Sequence, residues 1–147
     1  MGCNQSLYIK NIVWEAYERR GYDIVVVSWR GQSGTKLVTP KLYNAFSVYD
    51  VIEPIRHVCA RFGITPTSEK RAYGIGCSMG AMILGNAMGV EGADSLLSGA
   101  VCVQAAIKKW EGIDYFANSL GGIYNKAMGK YQWDYLKKNL EILGPHF

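Results

Sequence analysis

The 147-residue chain is poor in the features that mark several large classes of protein. No apolar run approaches the roughly 20 residues that a membrane-spanning helix requires. No long basic run occurs and the net charge of +4 is scattered, so we expect no nucleic-acid partner. No internal repeat or low-complexity segment is visible. With 49% hydrophobic and 19% charged residues, the composition is that of an ordinary globular chain of about one domain.

Nucleotide and metal motifs are also missing. Gly74-Ile75-Gly76 begins like the dinucleotide-binding pattern G-x-G-x-x-G, but Met79 occupies the position of the third glycine. The Gly-Lys-Ser/Thr of a phosphate-binding loop does not occur. The four cysteines show neither a C-x-x-C pair nor metal-ligand spacing. We therefore expect no cofactor and no metal.

The cysteines favour an intracellular protein with reduced thiols. Cys77 and Cys102 lie in apolar runs that we expect to form buried strands, so both are predicted to be core thiols in a reducing compartment. The expected location is cytoplasmic or membrane-associated.

Helical and extended patterns alternate along the chain. Apolar residues at helical spacing predict helices over 5–20, 48–62 and Met79–Met88, and Pro54 is expected to kink the second or to split off its first turns. Three apolar runs predict the strands of a parallel sheet: Asp23–Trp29 (buried on both faces), Ala72–Cys77 and Gly99–Val103. This alternation predicts an α/β fold with a doubly wound, mostly parallel sheet.

One short motif carries a chemical function. Gly76-Cys77-Ser78-Met79-Gly80 is G-x-S-x-G, placed between a predicted strand and a predicted helix. In that setting the pattern indicates a nucleophile elbow, a sharp turn that holds a serine hydroxyl out over the edge of the sheet. Gly76 and Gly80 are expected to be required because a side chain at either position would collide with the neighbouring strand or helix.

Several further segments resemble one family. They are Gly21–Val27, Trp29-Arg30-Gly31-Gln32-Ser33-Gly34, Thr39-Pro40 with Tyr43-Asn44-Ala45, Asp50-Val51 and the elbow itself. Together they resemble the middle of the YheT-type α/β-hydrolases, which include the abhydrolase-domain acylglycerol and phospholipid lipases and the embryogenesis-associated proteins. The resemblance implies an acyl ester or lipid as substrate and contact with a membrane surface through that substrate. It also implies Ser78 as the nucleophile and the backbone N–H of Met79 as an oxyanion donor.

The resemblance implies a single partial α/β-hydrolase domain over residues 1–147. Its core would span about 5–104, and the aromatic helical segment at about 107–143 would begin a helical cap.

Other parts of the family pattern have no counterpart here. The aspartate and histidine of the triad lie further along the chain in this fold, and the upstream His-Gly loop that supplies the second oxyanion N–H is not matched. Gln104-Ala105-Ala106-Ile107 stands where the family reads Asn-Pro-Phe-Asp. We expect His57 to be exposed and His146 to be a disordered terminal residue. A serine without a base has no route for its proton, so we predict that residues 1–147 are incomplete for catalysis.

Two functions follow from these observations. The first is a carboxylic ester hydrolase, acting on an acylglycerol or another lipid or short-chain ester, with its catalytic groups incomplete in these residues. The alternative is a non-catalytic remnant of the hydrolase fold that acts as a binding or structural subunit with a protein partner.

The first six residues allow a separate hypothesis. Met1–Ser6 fits the myristoylation pattern M-G-x-x-x-S, with Cys3 beside Gly2 as a palmitoylation site. The same residues also correspond to the family's Gly/Ser-rich loop before the first helix, and we favour that loop.

Overall fold

The computed structural model describes residues 5–146, with the side chains of residues 109 and 110 excepted. The lipidation pattern at Gly2 and Cys3 therefore lies outside the described residues. Contacts divide the chain into two compact units. One contains the described residues up to Tyr43 together with those from Phe116 onward, and the other is Asn44–Tyr115.

Helices and strands alternate in the middle of the chain, and helices occupy both ends. The helix α1 is followed by a π-helical turn at Glu15–Arg19, and short 3₁₀ turns follow α3, α4 and α6. In chain order, the elements of the described residues are α1 (Leu7–Trp14), α2 (Tyr49–Phe62), β1 (Ala72–Cys77), α3 (Met79–Glu91), β2 (Leu97–Val103), α4 (Lys109–Asn118), α5 (Ile123–Lys138) and α6 (Leu140–Leu143).

The two strands form a parallel pair, connected through α3. β1 has the predicted bounds, whereas β2 begins at Leu97 rather than at Gly99. The register places Gly76 opposite Cys102 and Cys77 opposite Val103. The helix α3 contacts both strands, and its buried residues form much of the core of this unit: Ala81, Ile83, Leu84 and Ala87. The predicted α/β architecture with parallel strands is thus present.

The opposite face of the strand pair is apolar and uncovered. Tyr73, Ile75, Val101 and Val103 are 62%, 54%, 57% and 41% exposed. Helices on both faces of a larger sheet are what the doubly wound prediction requires. The described residues instead form two strands.

The predicted strand at Asp23–Trp29 is wrong for this structure. These residues belong to no helix or strand, and Val25, Val26 and Val27 are 51%, 43% and 42% exposed. A run rich in β-branched residues becomes a strand of a parallel sheet only where a neighbouring strand supplies the hydrogen-bond partners of its backbone. No described strand pairs with this run, so its β-branched composition alone does not produce a strand.

The helix α2 is continuous through Pro54, so of the two expectations, a kink or a split, the split is wrong and the kink stays a prediction. Proline at this position removes one backbone hydrogen bond to the carbonyl four residues earlier. Val51, Ile52 and Cys59 are buried along one side of the helix, and this packing stabilises it despite the lost bond. It ends at Gly63, whose φ of 65° provides the left-handed C-cap that glycine adopts readily.

Cysteine burial differs from the prediction. Cys59, in α2, is buried, and burial raises the pKa of its thiol. Cys77 is only half-buried and Cys102 is exposed. The Sγ of Cys102 faces α3, where a Cβ on Gly85 would lie 3.6 Å from it. The prediction that Cys77 and Cys102 are both buried core thiols is therefore wrong.

The other unit contains an aromatic cluster. Trp29 and Tyr43 are stacked with ring centroids 5.8 Å apart, and Tyr43 lies 5.1 Å from the ring of Tyr135 in α5. The Tyr135 hydroxyl donates a hydrogen bond to the carbonyl of Arg30 at 2.6 Å. These contacts attach the loop after Trp29 to α5.

Candidate active site

Ser78 is the single residue between β1 and α3, and its backbone is strained. Its φ of 55° and ψ of −120° lie in a region that residues with a Cβ rarely adopt. Such a conformation costs about 1–3 kcal/mol and persists when the surrounding structure imposes it. Here two hydrogen bonds hold the turn. The Ser78 N–H donates to the Val103 carbonyl at 2.9 Å, and the Met82 N–H donates to the Ser78 carbonyl at 3.1 Å.

The close approach of α3 to β1 depends on Gly76. A Cβ on Gly76 would lie 2.6 Å from the carbonyl oxygen of Gly80 and 2.8 Å from the backbone of Ala81. Those atoms are backbone and cannot move aside as a flexible side chain could. A side chain at position 76 would therefore push the start of the helix away from the strand.

At one edge of the strand pair, the turn places an exposed serine directly before the first backbone N–H of a helix. Ser78 is exposed, and its hydroxyl forms no hydrogen bond with another described residue. Met79 is the first residue of α3, so its N–H has no acceptor within the helix and lies at the positive end of the helix dipole. The arrangement can present a serine oxygen and an anion-stabilising N–H at the same point.

Among the described residues, no base forms a hydrogen bond with the Ser78 hydroxyl. His57 is exposed on α2, as expected, and is not hydrogen-bonded to Ser78. His146 is exposed in a 3₁₀ turn, Gly144–His146, of the other unit. It is described as part of that turn, so the expectation of disorder does not hold.

Gln104 has a positive φ, as Ser78 does. The sequence patterns indicated no role for this glutamine. It directly follows β2 and has a φ of 53°. The available signal was its position, since the first residue after the carboxyl end of a parallel strand is a common place for functional side chains.

Metal-binding clusters and membrane-spanning helices are both absent among the described residues. Within residues 5–146, no group of three or more His, Cys, Asp or Glu side chains could hold a metal ion. No helix among those residues is both long and apolar enough to cross a membrane.

Sequence comparison identifies relatives of the chain. It is 30% identical to the embryogenesis-associated protein EMB8 of Picea glauca over 131 residues, which are 88% of this chain and 27% of the spruce protein. It is 33% identical over 79 residues to the medium-chain fatty acid ethyl ester synthase/esterase 2 of Saccharomyces cerevisiae, 54% of this chain and 16% of that protein. The chain belongs to the abhydrolase-domain α/β-hydrolases.

A third relative of this abhydrolase-domain chain is the monoacylglycerol lipase of Saccharomyces cerevisiae, 26% identical over 145 residues. That match covers 97% of this chain and 31% of the lipase. The chain thus spans about a third or less of the length of these relatives. No protein-family profile matches the chain, and no solved structure matches it significantly. The family predicted from the sequence is confirmed.

Proposed function

We propose that this chain carries the nucleophile of a carboxylic ester hydrolase that acts on acylglycerols or on other lipid or short-chain esters. The observation that carries the proposal is the conformation of Ser78. A strained, exposed serine stands between a parallel strand and the helix that packs on it. The names of two relatives, an ester synthase/esterase and a monoacylglycerol lipase, support the same substrate class.

In the proposed reaction, the Ser78 Oγ attacks the carbonyl carbon of the ester. A base takes the serine proton, and the carbonyl oxygen becomes an oxyanion that accepts a hydrogen bond from the Met79 N–H. The C–O bond to the alcohol then breaks, and the alcohol leaves with the proton that the base returns. Water hydrolyses the acyl-serine by the same steps and releases the carboxylic acid. The base would be a histidine that an aspartate orients, and the described residues supply neither at Ser78.

The proposal includes a larger architecture around the strand pair. A doubly wound sheet would place helices on both faces, and the exposed apolar face of Tyr73, Ile75, Val101 and Val103 is a surface that such helices would cover. Within the same proposal, residues 1–147 are one partial hydrolase domain, and the segment at about 107–143 begins a cap. Contact with a membrane surface would come through a lipid substrate.

A second candidate function is a non-catalytic hydrolase fold that serves as a binding or structural subunit. The observation that favours it is the Ser78 hydroxyl, which has no histidine or carboxylate partner among the described residues. Without a base, the serine keeps its proton at neutral pH.

A fluorophosphonate probe separates the two candidates because it reacts with activated serines. We expect Ser78 to be labelled in a polypeptide in which a histidine and an aspartate complete the triad, and not in residues 1–147 by themselves. Ser78→Ala should abolish labelling. Ser33→Ala is the matched control, since Ser33 has the same φ of 55° but does not stand between a strand and a helix.

Each outcome decides something. Labelling that survives Ser78→Ala contradicts Ser78 as the nucleophile. The absence of labelling in every form favours the non-catalytic subunit. Strong labelling of residues 1–147 alone, lost in Ser78→Ala, shows that these residues are complete for activation and that the predicted incompleteness is wrong.

A further inference from the structure

Two adjacent strands end in the same uncommon way. Ser78 follows β1 with a φ of 55°, and Gln104 follows β2 with a φ of 53°. Neither is glycine, so each conformation costs free energy and persists only because the surrounding structure imposes it. Strained residues of this kind concentrate at functional sites, which makes Gln104 a candidate for a role beside the serine.

The strand register places the two residues together. Cys77 lies opposite Val103, so Ser78 and Gln104 are the next residues on neighbouring strands. The Ser78 N–H donates a hydrogen bond to the carbonyl of Val103, the residue that precedes Gln104. Neighbouring strands in a sheet lie about 4.8 Å apart. The segments that follow β1 and β2 therefore leave the sheet side by side at its carboxyl edge. In open α/β sheets this edge is where ligands bind.

The chemistry of the two side chains is complementary to an ester. Ser78 and Gln104 are both exposed, and neither side chain forms a hydrogen bond with another described residue. An ester group accepts hydrogen bonds and donates none, whereas the carboxamide of glutamine carries two N–H donors. The Gln104 carboxamide is therefore able to bind the group that Ser78 would attack.

We propose that Gln104 is a substrate-binding residue whose Nε2–H donates a hydrogen bond to an oxygen of the ester and so holds the carbonyl carbon at Ser78. This inference rests on the proposed ester hydrolase function. It assigns a positioning role to a residue that belongs to neither the elbow nor a triad.

The test separates the carboxamide from the backbone conformation. Gln104→Gly and Gln104→Asn both tolerate a positive φ, but only asparagine keeps an amide. Both are made in Ser78→Ala, so that no turnover occurs, and binding of glyceryl monohexanoate is titrated below its micelle concentration. The side-chain ¹⁵N–H₂ signals of Gln104, identified by their loss in Gln104→Gly, report contact directly. Gln132→Ala, an exposed glutamine of α5, is the control.

We expect the Gln104 side-chain signals to shift on saturation. Gln104→Gly should weaken binding by about 2- to 12-fold, as for the loss of one neutral hydrogen bond, while Gln104→Asn retains more of the affinity and Gln132→Ala all of it. Equal affinity of the glycine and asparagine variants, or unmoved Gln104 signals in a protein that binds the ester, would overturn this inference alone. Failure of the Ser78→Ala protein to bind the ester at all would count against the proposed function as well.

Discussion

Arg56 in α2 donates a hydrogen bond from Nη2 to Oε1 of Glu91, the last residue of α3, at 2.8 Å. The Glu91 side chain is 7% exposed, whereas that of Arg56 is 53% exposed. The hydrogen bond is the main reason that the pKa of Arg56 is raised. This ion pair joins α2 to the end of α3, the helix whose first residue follows Ser78.

Removing the arginine should destabilise the protein. In Arg56→Met the aliphatic part of the side chain is kept, but the carboxylate of Glu91 stays nearly buried without its cation, an unfavourable state. We expect the Tm to fall by a few degrees. Arg61→Met, at an exposed arginine of the same helix, is the control and should leave the Tm nearly unchanged. Equal effects of the two substitutions in a thermal melt would show that the ion pair contributes nothing specific.

Two glycines, one near the end of β1 and one in α3, should respond in opposite directions to alanine. A Cβ at Gly76 meets the backbone of α3 at 2.6 Å, so Gly76→Ala should destabilise by at least about 1–3 kcal/mol through overpacking. A Cβ at Gly89, within α3, meets nothing within 4 Å. Gly89→Ala should therefore stabilise by up to about 1 kcal/mol, the difference in helix propensity. Urea unfolding of both variants measures the contrast, and a stable Gly76→Ala protein would contradict the close approach.

Because the backbone at Ser78 is strained, replacing the serine by glycine should increase stability and abolish activity. Ser78→Gly removes the Cβ that makes a φ of 55° unfavourable, so it should stabilise the fold by about 1 kcal/mol or more. Ser78→Ala removes the hydroxyl but keeps the Cβ, and its stability should stay close to that of the parent. In a polypeptide in which a histidine and an aspartate complete the triad, both variants should lose fluorophosphonate labelling. If glycine and alanine give the same urea midpoint, the strain does not exist in solution.

We predict that the protein loses stability at high pH because the pKa of Tyr43 is raised in the folded state. Burial, with smaller contributions from Tyr131 and Tyr135, raises its pKa from 10.0 to about 12. The neutral phenol is thus favoured in the folded protein, while the unfolded chain ionises at the ordinary value. Stability from this group is fully present below pH 10 and is lost between about pH 10 and 12, because only the unfolded state has released the proton there.

The measurement is a set of urea midpoints from pH 9 upward, with phenolate absorbance followed in the same samples. Tyr43→Phe should flatten the decline, and Tyr73→Phe, at an exposed tyrosine of β1, should not. If the urea midpoint of Tyr43→Phe falls with pH as steeply as that of the parent, another group causes the alkaline instability.

Local sequence patterns determined the strand and the turn that carry the candidate site. The apolar run Ala72–Cys77 became β1 with the predicted bounds, and the G-x-S-x-G motif stands at the strand–helix turn. Such features follow from short-range chemistry, because glycine permits backbone approach and a helix begins where its periodic apolar residues begin. The family could also be recognised, since sequence similarity does not require a folded chain.

Tertiary structure decided the features that depend on distant partners. Asp23–Trp29 has the composition of a buried strand, yet it remains outside any sheet because no described strand pairs with its backbone. Arg56 and Glu91 are 35 residues apart, and nothing in their local sequence marks them as a pair. Gln104 lies beside Ser78 only because the register joins Cys77 to Val103. Pairing, burial and register arise from contacts between separate segments, so they appear when the chain packs and not before.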